Sequence, residues 1–201
     1  MGLRMFLQAR RVRRLLGRLP AYAEGQGHVV QVYAGPFPAG AVADFIRQGA
    51  AAGEVGVVIA TPEHVAAADA LLGDLRARVV YLDADEMLAR FMVDGHPDRQ
   101  RFLDTVGDVV QQAAEAGGGR VRAYGEMVVR LCQSGRPDAA VELEGLWNEL
   151  ARDHDLRLLC SYPVDALGGG AGLLAQQLRD THSHALAEPP TPRQVLRESV
   201  L

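Results

Sequence analysis

VGVVIATPEH, residues 55–64, decides the fold. Six apolar or small residues run without a break and then meet Thr61, Pro62 and Glu63. A continuous apolar run of strand length fits a strand covered on both faces. Thr61 is a capping residue and Pro62 suits the first turn of a helix. The segment therefore hands a buried strand straight to a helix that reaches about residue 75.

The same handover recurs on both sides. Residues 28–33 (HVVQVY) read as a strand, followed by a Gly-Pro turn over residues 34–38. Residues 39–52 then read as a helix, with Val42, Phe45 and Ile46 on one side and Gly53 as its stop. Residues 79–82 form a third strand, and helices are expected over 83–93 and 97–116, the second broken by three glycines at 117–119. Residues 121–124 are a fourth strand. Helices over 126–134 and 137–152 are divided by Gly135, and a fifth strand over 156–162 ends at Pro163. This alternation predicts an α/β fold: a mostly parallel central sheet of about five or more strands, flanked by helices in three layers. In such sheets ligands bind beyond the carboxyl ends of the strands.

Three segments are expected. Residues 1–24 are an Arg-rich N-terminal extension, 25–168 the core domain, and 169–201 a C-terminal helix with a loose tail, since EPPTP at 188–192 cannot be helical throughout. Residues 168–170, three glycines, read as a linker. Six Arg and no acid lie within the first 19 residues, so a basic helix over residues 5–19 is expected. It reads either as a surface for a membrane or partner, or as an extension with no such role.

Composition narrows the function. The 201 residues are 48% hydrophobic and 23% charged, as in an ordinary folded domain. A net charge of -4 argues against direct nucleic-acid binding. All 21 basic residues are Arg, which excludes a P-loop lysine, a Schiff-base lysine and a lysine general base. Two Cys exclude a disulfide framework and a four-Cys zinc site. No run of about 18 apolar residues exists, so no transmembrane segment is expected. A cytoplasmic protein from a GC-rich bacterium fits this composition.

Candidate site residues follow from position. The loop after Tyr33 sits where a P-loop would follow the first strand, but Pro36 and Pro38 remove two amides and Phe37 makes it apolar. It suits an apolar ligand or a packed lid. His64 lies in the first turn of its helix, at the site edge or as a structural hydrogen-bonding residue. Glu126 ends the fourth strand at the ligand-prone edge, where it reads either as a ligand contact or as a charge on the following helix N-terminus. On the helix 137–152, Ala140, Leu143, Trp147 and Leu150 form a buried stripe, and Glu144 and Asn148 border it. They read as a site wall with Trp147, or as a structural pairing such as Glu144 with Arg122. The histidines are scattered, His182 and His184 are poorly placed for one metal, and Cys160 reads as a small buried hydrophobe. No metal, no cofactor and no nucleophile–base constellation is expected.

The motifs occur in a familiar order. They are His28-Val-Val-Gln-Val-Tyr33; Gly53-Glu54 with Val57-Val-Ile-Ala-Thr-Pro-Glu-His64; and Leu82-Asp-Ala84 with Leu88-Ala-Arg-Phe-Met-Val-Asp-Gly95, Pro97-Asp98 and Arg101-Phe102. Arg122-Ala-Tyr-Gly-Glu-Met127 follows, then Ala140-Val-Glu-Leu-Glu144, Leu146-Trp-Asn-Glu-Leu150 and Leu159-Cys-Ser-Tyr-Pro163. Together they resemble the MEDS domain, the methanogen/methylotroph and dichloromethane-regulator sensory domain. The resemblance implies a fold similar to RecA/KaiC-type ATPases without a working P-loop. It also implies a sensory module for small hydrocarbon-derived compounds, working with kinase, anti-sigma-type or DNA-binding partners. The loop at 34–38 departs from the pattern, since many relatives carry acidic residues there.

The function expected is thus a non-catalytic sensory domain. It binds a small ligand near Tyr33, Phe37, His64, Glu126, Glu144, Trp147 and Asn148, and signals to a separate histidine kinase, anti-sigma-type regulator or transcription regulator. A degenerate nucleotide-binding module and a pure interaction module with a filled pocket are the alternatives. An apolar helix face also leaves a homodimer open.

Overall fold

The computed structural model describes residues 27–167 and 171–185. The basic helix expected over residues 5–19, the linker at 168–170 and the tail after residue 185 lie outside the described residues. Six parallel strands form one sheet: β1 (Gly27–Tyr33), β2 (Val55–Ala60), β3 (Val79–Asp83), β6 (Arg120–Gly125), β7 (Asp155–Pro163) and β8 (His184–Ala185). Their order is β3-β2-β6-β7-β1-β8. The five strands expected from the sequence all form, within a residue or two of their expected ends. Two-residue β8, against β1, has no counterpart among the strands read from the sequence.

Helices cover both faces. On one face lie α1 (Ala39–Ala51) and α2 (Pro62–Leu72), packed on Val29, Val58, Ala60, Tyr124 and Leu159. On the other lie α3 (Ala84–Phe91), α5 (Asp108–Ala116), α6 (Met127–Gln133), α7 (Pro137–Asp153) and α8 (Ala171–Thr181). The core beneath them includes Val30, Val57, Ile59, Ala123, Leu158 and Cys160. Each large apolar side chain fully buried there contributes about 1.5–3 kcal/mol. The strand side chains alternate between the two cores because successive residues point to opposite faces.

Two helices read from the sequence are shorter than expected. The segment 83–93 is helical only over α3. Asp83 caps it by accepting from the amides of Asp85 and Glu86, and Met92–Val93 (β4) turns back as a hairpin with His96–Pro97 (β5). Asp94 and Gly95 both have positive φ, so a tight Asp-Gly turn ends what periodicity alone would continue. The segment 97–116 is α4 (Arg99–Phe102), a wide π turn over Leu103–Gly107, then α5.

The loops after the strands set the site. β1 runs to β2 through α1 and β2 to β3 through α2 on one face, whereas β6 runs to β7 through α6 and α7 on the other. The carboxyl ends of β2 and β6, which are hydrogen-bonded neighbours, therefore send their chains to opposite faces. Such a divergence opens a crevice at the edge of a parallel sheet.

Candidate functional site

The crevice is present. It encloses about 470 Å³ and is lined by Tyr33, Thr61, His64, Glu126, Arg130 and Pro163, among others. Tyr33 and Pro163 end the paired strands β1 and β7, and Thr61 caps α2 by accepting from the His64 amide. The cap expected at Thr61-Pro62 thus also fixes the place of His64.

Glu126 is the electrostatic centre. It is 3% exposed, yet its side chain does not cap α6. One oxygen, Oε1, lies 2.6 Å from His64 Nδ1 and accepts from the Tyr124 hydroxyl at 2.8 Å. The other, Oε2, accepts from the Thr61 amide at 3.1 Å. Three donors on one carboxylate hold it rigidly and orient His64. Because Nδ1 faces Glu126, the imidazole Nε2 is the ring nitrogen left for a ligand. The Phe37 ring stacks on His64, with centroids 3.8 Å apart and planes 11° from parallel. The apolar loop after β1 therefore meets the polar pair at one point. Burial, then the charges of Glu126 and Asp165, push the Tyr33 hydroxyl up to about 12, so Tyr33 stays a neutral donor. Arg130, across the crevice, is held by both oxygens of Asp85 at 2.8 and 2.9 Å.

The seven residues picked from the sequence divide into groups. Tyr33, His64 and Glu126 come together in the lining of the crevice, and Phe37 stacks on His64 without lining it. Glu144 and Asn148 lie deep on the α7 side of the sheet, beside His28. Trp147 is fully buried, edge-on to Phe102, and its indole lies 3.7 Å from where a side chain on Gly125 would begin. It is core. The expected pairing of Glu144 with Arg122 does not form, because strand parity places Arg122 on the opposite face. There Arg122 donates to Glu54 at 2.8 Å, and Arg157 joins the same carboxylate.

Sequence reasoning missed the grouping of His28, Glu144, Cys160 and His182. One ligand-type atom from each falls within 4.8 Å of all the others, and all four residues are buried. This corrects the expectation that the histidines are scattered. The register of β1 on β7 pairs Val30 with Cys160, so His28, two residues earlier, shares a face with Cys160. Nothing local in the sequence gives that register. Burial pushes Glu144 up to about 8, although the Tyr162 hydroxyl that donates to it opposes the shift. Burial also lowers His28 to about 4, and burial together with the nearby His28 lowers His182.

Fold and site together define an α/β domain with a ligand-sized crevice at its carboxyl edge. The profile of the MEDS family, described as MEthanogen/methylotroph, DcmR Sensory domain, matches residues 27–183. That is well over half of the chain, which belongs to this family of sensory domains. No curated protein and no solved structure matches it. Among the described residues, no helix is long and apolar enough to cross a membrane.

Proposed function

We propose that this chain is a non-catalytic, cytoplasmic sensory domain that binds a small, partly apolar ligand, of the hydrocarbon-derived class, in the carboxyl-edge crevice. The observation that carries this reading is the crevice itself, of about 470 Å³, in which the anchored His64–Glu126 pair sits beside Tyr33, Val129 and Pro163. That volume lies within the range of about 300–1,000 Å³ usual for small-molecule sites. Tyr33 and His64 offer hydrogen bonds to a ligand's polar end, and Val129 and Pro163 offer apolar contact. Glu126 accepts from three donors and serves to position His64. Among the described residues that line the crevice there is no serine or cysteine, and the Thr61 hydroxyl is engaged by the His64 amide.

A ligand here touches elements from both faces of the sheet. His64 begins α2, whereas Arg130 and Gln133 belong to α6. Arg130 connects onward to Asp85 at the start of α3. Binding that favours one setting of α6 shifts the population of a surface read by a partner. The partner is a signalling protein such as a histidine kinase, an anti-sigma-type regulator or a transcription regulator.

Thermal unfolding against a panel of small apolar metabolites and nucleotides tests the reading. A compound at about a hundred times its Kd stabilises by roughly 2.7 kcal/mol. A shift given by a partly apolar compound and lost in His64→Ala is the expected result. A shift given only by nucleotides replaces the reading with a degenerate nucleotide-binding module. No shift from any compound moves it to a protein-interaction module.

A further inference from the structure

We infer that His28, Glu144, Cys160 and His182 form a buried site for one divalent metal ion of the zinc type. Four elements supply the ligands: His28 from β1, Glu144 from α7, Cys160 from β7, and His182 just after α8. His28 Nε2 lies 3.3 Å from Cys160 Sγ and 3.3 Å from Glu144 Oε2, and His182 Nε2 lies 3.6 Å from Glu144 Oε1. Ligand atoms on a tetrahedral zinc with ordinary Zn–N, Zn–O and Zn–S bonds stand roughly 3.3–3.7 Å apart. The four groups are thus already near the corners of one coordination shell.

Their hydrogen bonds point the same way. Asn148 Nδ2 donates to the Thr181 carbonyl at 2.8 Å, which turns Asn148 Oδ1 toward His28 Nδ1 at 3.0 Å. His28 Nδ1 therefore carries the proton and Nε2 presents a lone pair. His182 Nδ1 faces the Leu178 carbonyl at 2.7 Å, so it too is protonated and its Nε2 is bare. Donation from the far ring nitrogen to an oxygen is how proteins orient metal-binding histidines. Tyr162 donates to Glu144 Oε1 and leaves Oε2 for the site. Glu144 Oε2 and His182 Nε2 are buried without any hydrogen-bond partner. Unsatisfied groups of this kind are costly, and a cation between them would satisfy both.

The charges balance as well. Two neutral imidazoles, one thiolate and one carboxylate carry -2, which a divalent ion neutralises in an apolar interior. Binding replaces the thiol proton of Cys160 and the carboxyl proton of Glu144 with two bonds to the metal and releases both protons. Imidazole, thiolate and carboxylate together suit zinc or cobalt rather than magnesium or calcium. A small apolar hollow of about 10 Å³, lined by Val128, Ala140, Gln177 and Thr181 among others, borders Glu144 beside α8. The bound ion would fasten the end of α8 and β8 to the sheet.

The test uses the full chain, stripped with a chelator and titrated with Co²⁺ alone and then Zn²⁺ alone. One equivalent of Co²⁺ should bind and give a near-ultraviolet thiolate-to-cobalt band that Zn²⁺ abolishes. The band should vanish in Cys160→Ser and persist in Cys132→Ser. Should Cys160→Ser not fold, X-ray absorption of the zinc-loaded wild type decides, with one sulfur and three nitrogen or oxygen neighbours expected. No stoichiometric binding, a band that survives Cys160→Ser, or a sulfur-free shell overturns the inference. Ligand shifts at the crevice are scored separately, so failure here leaves the sensory reading standing.

Discussion

Replacing Glu54 by Ala should destabilise the domain by about 3–5 kcal/mol, the usual cost of breaking a buried ion pair from one side. The magnitude follows from what is left behind. Glu54 is fully buried, and its carboxylate receives Arg122 Nε at 2.8 Å and Arg157 from the other side. Arg122 is 4% exposed. Without Glu54 its cation loses the carboxylate and is left beside neutral groups that include the Phe45 carbonyl and Gln48 Oε1, both at 3.2 Å, and the Phe45 ring at 4.9 Å. Arg157 is more exposed and can turn to water, which places the cost toward the lower end. In a chain of this size each kcal/mol moves Tm by about 2–4 °C, so a loss of about 6–20 °C is expected. Denaturant and thermal unfolding, followed through the buried Trp147, measure it. The double variant Glu54→Leu with Arg122→Met should recover most of the loss, since apolar replacements of buried ion pairs are often neutral. A single-variant cost below about 1 kcal/mol would refute the reasoning.

The glycines give a matched pair of expectations. A Cβ at Gly117 would sit 2.5 Å from the Arg120 carbonyl and 2.8 Å from the Val55 amide, so Gly117→Ala should cost about 1–3 kcal/mol in denaturant unfolding. Gly145, within α7, has open space at that position, and Gly145→Ala should stabilise by about 0.5–1 kcal/mol in the same assay. Trp147→Ala should cost about 3–5 kcal/mol through the cavity it leaves. Trp147→Phe should cost far less, because the indole N–H has no partner to lose. In the metal-free protein Glu144 holds its proton up to about pH 8, whereas an unfolded chain releases it near 4.5. The folded state then binds more protons, so stability falls as pH rises from 6.5 to 8, by up to about 1.4 kcal/mol per pH unit. Below 6.5 the buried neutral histidines reverse the slope, since the unfolded chain protonates them first. Urea midpoints against pH check this, and Glu144→Gln should flatten the alkaline side.

The strands were legible because each is a short apolar run closed by Gly, Pro or a capping residue. Val55–Ala60 before Thr61-Pro62 is the clearest case. Half of the candidate site was legible for the same reason. Residues at strand ends, such as Tyr33 and Glu126, reach the carboxyl edge whatever the order of strands. Periodicity marked the buried stripe of Ala140, Leu143, Trp147 and Leu150 and put Glu144 and Asn148 beside it, but it did not show that this stripe lies away from the crevice. It marks which side of α7 is buried but not what lies beneath it. The β4–β5 hairpin was hidden because Met92 and Val93 continue the apolar pattern of α3 until Asp94-Gly95 turns the chain. The four-residue cluster was hidden more deeply. HVVQVY is buried on both faces, so it carries no inside–outside alternation from which the neighbours of His28 could be read. Only the β1–β7 register and the docking of α8 bring Cys160 and His182 to it.

The central claim is that the carboxyl-edge crevice is the sensing site. Two-dimensional amide NMR of the full chain, screened with small partly apolar fragments, tests it most directly. The account predicts that binding fragments move the signals of Tyr33, Thr61, His64, Glu126 and Arg130 together, and that His64→Ala removes the response. Fragments that bind reproducibly elsewhere, with these signals unmoved, would contradict it.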